Sequence, residues 1–195
     1  MIETTPSSYS QSLLKRLLDL VITIGSLPLV IPAVLLGMLL LSFPLGSKVF
    51  FTQKRLGKGG AEFSILKLRT LKLGTTNDMA GMAPDGSDFV LFGHWLRRWR
   101  IDELPQVINV LKGEMSWIGP RPERPHLSLE AASKYPDFSK RCDVKPGLTG
   151  WAQVHLPNAT PKENGEKLVY DLEYVRKASL GMDLRILLRT IRAVI

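Results

Sequence analysis

A single cysteine, Cys142, excludes an internal disulfide and is most simply a small core or surface residue. The three histidines, His94, His126 and His155, are scattered without metal-ligand spacing, so neither a zinc site nor a redox framework is supported. No internal repeat or low-complexity block is present. The glycine-rich stretch Gly57-Lys58-Gly59-Gly60 lacks the Gly-Lys-Ser/Thr ending of a P-loop and reads as hairpin chemistry. Acidic residues are in deficit, 18 against 26 basic, and the resulting net charge of +8 indicates anionic partners: nucleic acid, anionic lipid headgroups or phosphorylated substrates. At 195 residues the chain has the length of one domain.

Charge is also nearly missing from residues 17–43, where Asp19 is the one charged side chain, a run long enough to cross a hydrocarbon core of about 30 Å if straight, and too long for a signal peptide. Three features argue against a simple crossing. Pro28 and Pro32 lie one helical turn apart in its middle, and each removes a backbone hydrogen bond. Gly25 and Ser26 loosen the same region. Basic residues flank both ends, Lys15 and Arg16 before, Lys48, Lys54 and Arg55 after, whereas a single span carries them mainly on the cytoplasmic side. The sequence therefore predicts a re-entrant helix-hairpin over residues 13–46, entering and leaving on one face, with a proline-kinked bitopic helix as the alternative. Asp19 lies within reach of Lys15 and Arg16. Residues 1–12, rich in Ser and Thr, read as a mobile polar tail that ends by capping this helix.

The remainder, residues 47–195, reads as one catalytic unit. Alternation predicts short strands over 49–53 and 63–70, with Lys67 and Arg69 on one strand face, where they could bind phosphate or face solvent. Residues 74–88 suggest a loop that could close over a substrate. Residues 92–100 interleave Trp95, Leu96 and Trp99 with Arg97, Arg98 and Arg100; beside a membrane hairpin this fits a helix in the headgroup plane, with core tryptophans as the alternative. A helical stretch over 125–143 is interrupted at Tyr135-Pro136. Trp151 could stack on a base or pack in the core. Two amphipathic helices, 167–177 and 183–194, close the chain, the last basic and apolar as a membrane surface favours. The fold class expected is α+β, predominantly helical, with interfacial helices around a compact domain.

The densest chemistry lies between Arg100 and Pro122. Residues 104–111 read as a helix, with Pro105 in its first turn and Gly113 as its C-cap, which places Asp102 and Glu103 at its N-terminus. Two adjacent carboxylates repel unless a cation neutralises them, and an oxygen pair suits Mg²⁺, which takes one or two carboxylates plus substrate phosphates. Gly119 would let the backbone approach a ligand. Pro120 and Pro122 stiffen the segment presenting the fork of Arg121, suited to bidentate phosphate binding.

With these residues the chain resembles the monotopic phosphoglycosyl transferases, the bacterial sugar transferases. The likeness begins at Lys15-Arg16-x-x-Asp19 and continues through Val49-Phe50-Phe51-Thr52-Gln53 and Lys67-Leu68-Arg69-Thr70. It takes in the Asp102-Glu103 dyad and Pro120-Arg121-Pro122, and ends in residues 145–154. The chain departs at Ile31, where the family often has Ser before the breaking proline, and at His155-Leu156-Pro157-Asn158.

The resemblance implies transfer of a phosphosugar from a UDP-sugar to polyprenol phosphate, with release of UMP, at the cytoplasmic face of a bacterial inner membrane, in one leaflet. It implies a covalent phosphosugar-aspartate on Asp102, with Glu103 holding metal or accepting a proton, Mg²⁺ held by Asp102 and Glu103, and phosphate bound by Arg121, Lys67 and Arg69. Nucleic acid is not expected as a partner under that reading, and the oligomeric state stays open, a homodimer included. The competing reading is a noncatalytic membrane-anchored module binding anionic lipid or nucleic acid; hydrolysis of the nucleotide sugar is a third. Neither the sugar nor the glycan pathway is legible.

Overall fold

The computed structural model describes residues 5–75, 88–157, 159–160 and 163–194. The apolar run forms one helix, α1 (Leu13–Leu45), with Pro28, Pro32 and Pro44 inside it and no interruption of the helical run. Ser12 caps it, its hydroxyl accepting from the Lys15 amide at 3.1 Å. The middle turns of α1 leave Leu29 78% and Leu39 69% exposed, an apolar surface that water would penalise.

Both ends of α1 are fastened to the same body. Near the start, Asp19 Oδ1 accepts from the Ser116 hydroxyl at 2.8 Å and the Trp117 amide at 3.0 Å, while Thr23 Oγ1 accepts from the Trp117 indole at 2.7 Å. Arg16 does not pair with Asp19; its guanidinium donates to the carbonyls of Val110 at 2.6 Å and Leu111 at 2.8 Å. Towards the end, Leu41 and Leu45 share a core with Val49, Leu68, Val90 and Leu96. Gly37 sits against the Leu68, Leu96 and Ile101 side chains. The preceding segment is fastened too. From Ser7 onward the expected mobile tail is tied down: the Ser7 amide donates to Val175 O at 2.8 Å and Tyr9 Oη to Asp183 Oδ2 at 2.8 Å.

Strands β1 (Phe50–Leu56) and β2 (Glu62–Leu68) form an antiparallel hairpin, with Phe51 opposite Lys67 and a 3-10 turn at Lys58–Gly60. Helix α2 (Gly93–Arg98) is shorter than the stretch expected; Leu96 is its buried anchor, and Trp95 and Trp99 stay about half exposed. A 3-10 turn (Ile101–Gln106) then leads into α3 (Val107–Lys112), which Gly113 ends in the left-handed region at φ 82°. Thus Asp102 and Glu103 lie within the first turn of the 3-10 segment, rather than ahead of an α-helix.

A second pair of strands, β3 (Ser116–Ile118) and β4 (Gly147–Thr149), is parallel. Between them come α4 (Pro125–Lys134) and a 3-10 segment (Pro136–Asp143), broken at Tyr135 as expected. Helices α5 (Trp151–His155), α6 (Asn164–Lys177) and α7 (Leu180–Val194) complete the chain. They share a core with β3 through Ile118, Trp151, Tyr174, Val175 and Ile186. The fold is α+β and mostly helical. Most of the loop expected over 74–88, and Asn158, lie outside the described residues.

Candidate active site

Strand β2 delivers Lys67, the 3-10 turn delivers Asp102 and Glu103, and the segment after β3 delivers Arg121. A 3-10 turn advances about 120° per residue, so adjacent carboxylates point to different surroundings. Glu103 Oε1 accepts from Lys67 Nζ at 2.6 Å and Arg121 Nη2 at 2.9 Å, and Arg100 Nη1 lies 3.8 Å from Oε2. Asp102 is 6% exposed, and its Oδ1 is buried without a hydrogen-bond partner among the described residues. Glu103 thus takes two short ion pairs on one oxygen, while Asp102 keeps a buried oxygen to spare.

Their acidities diverge accordingly. Burial pushes the Asp102 carboxyl up from 3.8 to about 6, with the charge of Glu103 adding to it and Lys67, Arg97 and Arg121 opposing. Burial would also raise Glu103, but the charges and hydrogen bonds of Arg121 and Lys67 outweigh it and hold that carboxyl well below the usual range. The Lys67 ammonium is pushed down by burial, partly restored by Glu103.

Asp102 lines a cleft of about 90 Å³ whose other charged walls are Arg55, Lys67, Arg69, Lys72, Arg97 and Arg124. Six cations around one carboxylate form a site for a polyanion. Burial, then the nearby charge of Arg121, lowers the Arg55 guanidinium to about 10, as expected of crowded cations. Arg69 lines the cleft while donating to the carbonyls of Lys48 at 3.0 Å and Phe50 at 3.2 Å, so part of its fork is committed to backbone.

Arg121 is positioned by other arginines. Arg55 Nη1 donates to Pro122 O at 3.0 Å and Arg141 Nη2 to Arg121 O at 3.0 Å, while Arg141 is anchored on Asp171 at 2.6 Å. A larger cavity of about 290 Å³ takes in Arg121 together with Glu123, Tyr135, Asn164 and Lys167. Gly119 does approach something closely, but that is protein: a Cβ there would collide with the Lys145 carbonyl, because Gly119 N donates to Thr149 O at 2.9 Å along the β3–β4 pairing.

The structure gathers Lys67, Asp102, Glu103 and Arg121, with Arg69 at the edge of the cleft. Sequence reasoning missed Arg55, Lys72, Arg97 and Arg124. Arg97 falls in the stretch expected as a headgroup helix, and Arg55 among the charges flanking the apolar run. The alternation that singled out Lys67 would have placed Arg55 on the face of the strand shared with Phe51 and Gln53. Trp151 is a core residue, 9% exposed, with its indole donating to Glu173 Oε2 at 2.8 Å, so it is no base platform.

Among the described residues no three His, Cys, Asp or Glu side chains cluster to make a protein-only metal cage. The spare buried oxygen of Asp102 fits a cation that takes one or two carboxylates and completes its shell with water and phosphate, as Mg²⁺ does.

Residues 10–195 match the family model described as bacterial sugar transferase. A UDP-N-acetylgalactosamine-undecaprenyl-phosphate N-acetylgalactosaminephosphotransferase of Aeromonas hydrophila is 37% identical over 184 residues, covering 93% of this chain and 44% of that protein. A UDP-glucose:undecaprenyl-phosphate glucose-1-phosphate transferase of Xanthomonas campestris pv. campestris is 36% identical over 188 residues, covering 93% and 38%. The uncharacterized sugar transferase EpsL of Bacillus subtilis is 38% identical over 184 residues, covering 94% and 88%. The chain therefore spans less than half the length of the first two.

Proposed function

Because the chain belongs to the bacterial sugar transferase family, we propose that it transfers a phosphosugar from a UDP-sugar to a polyprenol phosphate, the first membrane-committed step of glycoconjugate assembly. Asp102 is the nucleophile. Its carboxylate oxygen forms a bond to the sugar-bearing phosphorus as the bond to the UMP oxygen breaks, and UMP departs with the electron pair. A phosphate oxygen of the polyprenol phosphate then attacks the same phosphorus, releasing the Asp102 carboxylate and giving polyprenyl diphosphate sugar. The observation that carries this reading is the unpartnered, buried oxygen of Asp102 in a cleft walled by six cations. A module that merely bound anions would gain nothing from a buried carboxylate there.

Lys67, Arg69 and the cleft arginines hold the diphosphate. Arg121, released from Glu103 or shared with it, holds phosphate on the side of the larger cavity. Glu103 keeps Lys67 and Arg121 charged and in place. It is also the candidate to accept a proton from the incoming phosphate, a role it can take only if one of its ion pairs loosens. Mg²⁺ held by Asp102 and Glu103 with the substrate phosphates would supply charge neutralisation at the leaving UMP.

The site belongs at the cytoplasmic face of the bacterial inner membrane, with α1 re-entrant in one leaflet. Support comes from the entry to α1 and its first turn meeting segments that follow the helix: Lys58 Nζ donates to Gln11 Oε1 at 3.3 Å, and Lys15 Nζ bonds Asp183 Oδ2 at 2.7 Å. A bitopic helix would hold such partners a bilayer apart.

The deciding experiment supplies a panel of UDP-sugars with and without undecaprenyl phosphate and measures UMP. Repeated turnover that requires the lipid, with one sugar preferred and no more than one UMP per protein in its absence, is the expected result. Continued turnover without lipid would make the protein a hydrolase, and no release with any sugar would leave only the anion-binding module.

A further inference from the structure

A second basic cavity lies away from the cleft at Asp102 and shares no residue with its lining. It is about 100 Å³ in volume and brings together Lys15 and Arg16 of α1, Lys58 of the β1–β2 turn and Lys145 ahead of β4. That volume has room for one compact anionic group.

The charges in this cavity are not balanced. Asp19 is its one carboxylate, and that group is already engaged by Lys15 at 3.6 Å, by the Ser116 hydroxyl and by the Trp117 amide. Lys15 also has Asp183 at 2.7 Å. The other three cations have no carboxylate within ion-pair distance among the described residues. A Cβ placed on Gly113 would lie 3.6 Å from Lys145 Nζ and 3.8 Å from Arg16 Nη2, so the two cationic heads converge on one spot. Arg16 uses its fork on α3 carbonyls, and Lys58 has the Gln11 amide oxygen at 3.3 Å. Lys145 has no hydrogen-bond or ion-pair partner among the described residues, and burial followed by the charge of Arg16 pushes its ammonium down. Cations brought together like this repel one another until an anion sits among them.

The position suggests the source of the anion. Leu13, Leu14 and Leu17, the first apolar residues of α1, are at least half exposed beside Lys15 and Arg16. We propose that this cavity is a phosphate-binding site, separate from the cleft at Asp102, that holds the headgroup phosphate of an anionic lipid where α1 enters the membrane. Its phosphate chemistry stands independently of the catalytic reading; its lipid source rests on α1 being embedded.

The test uses the full chain in a neutral detergent and does not read activity. Acetylation of Lys145 by acetic anhydride, followed by peptide mass spectrometry, reports whether its amine is covered. Inorganic phosphate and dihexanoylphosphatidylglycerol should each slow Lys145 acetylation about tenfold, while dihexanoylphosphatidylcholine should protect far less. In parallel, phosphatidylglycerol binding should weaken about tenfold in Lys58→Gln/Lys145→Gln and remain unchanged in Lys134→Gln/Lys177→Gln, which removes equal charge elsewhere. Lys58 is exposed and Lys145 is half-buried, so the double variant keeps the buried Lys15 network that anchors α1. Protection by inorganic phosphate but not by phosphatidylglycerol would overturn the lipid source. Protection by neither probe, equal protection by phosphatidylcholine, or undiminished binding in Lys58→Gln/Lys145→Gln would overturn the proposal.

Discussion

At the scale of single residues, Asp102 and Glu103 are neighbours with opposite environments, and this difference sets what each substitution should do. Asp102→Asn keeps the shape but removes the attacking oxygen, so intact-mass spectrometry should find no phosphosugar adduct and turnover should vanish at every Mg²⁺ concentration. Glu103→Gln leaves that attack chemically open. With the correct UDP-sugar and no acceptor it should yield protein heavier by one phosphosugar, labelled on the peptide holding Asp102. An adduct on Glu103, or turnover surviving in Asp102→Asn, would sink the assignment.

The raised acidity of Asp102 adds a pH signature. Between pH 3.8 and about 6 the unfolded chain has lost a proton that the folded chain keeps, so this group's contribution to stability falls as pH rises through that window and is level above it. The shift sets a ceiling of about 3 kcal/mol on the penalty at neutral pH. Measured without divalent cation, Asp102→Asn should therefore melt higher than the parent at pH 7.5 and lose that advantage near pH 4. Adduct formation in a single turnover should rise as pH passes about 6, where the nucleophile ionises. A melting difference that does not depend on pH would show that Asp102 is not held in this strained state.

At the scale of elements, β3 and the residues after it decide where Arg121 stands. The parallel pairing brings Gly119 so close to the Lys145 carbonyl that no side chain fits, and the Gly147 amide closes the turn on Pro120 O at 2.9 Å. Gly119→Ala must part β3 from β4 and displace Arg121 and Glu103 together. A loss of turnover beyond tenfold with a melting point lowered by several degrees is expected, while Ser133→Ala on exposed α4 should change neither. Normal activity in Gly119→Ala would mean that the strand pairing does not position the site.

The same elements show what was legible in the sequence. The hairpin, the break at Tyr135-Pro136, the Gly113 cap and the Ser12 cap are short-range chemistry, and each was readable from residues a few positions apart. The ion pairs around Glu103 were not, since Lys67 lies 36 positions away and Arg121 lies 18. Nor was the role of Gly119, because its close neighbour arrives from residue 145. Arg97 was misplaced for a related reason: a basic-aromatic stretch describes a helix's surface, but which of its arginines turns inward depends on where Leu96 is buried.

At the scale of the whole molecule, α1 poses the remaining question. A straight helix of 33 residues would extend about 50 Å, more than the roughly 30 Å hydrocarbon core requires. Yet Lys15, Arg16, Asp19 and Thr23 near its start are bonded to elements that follow it, and Leu41 and Leu45 at its end pack into that same domain. The buried Lys15–Asp183 pair makes this attachment expensive to break: stranding one partner of such a pair costs about 3 to 5 kcal/mol. Under the proposed re-entrant topology the start of α1 lies on the same side of the bilayer as the domain that its end enters. Gln11→Cys and Lys48→Cys, each in a background with Cys142→Ser, should both be protected from an impermeant thiol reagent in intact cells. Both should become reactive once the inner membrane is opened. Labelling of either position from the periplasm would mean that the protein crosses the membrane and that the contacts of Lys15 and Asp19 do not form in the cell.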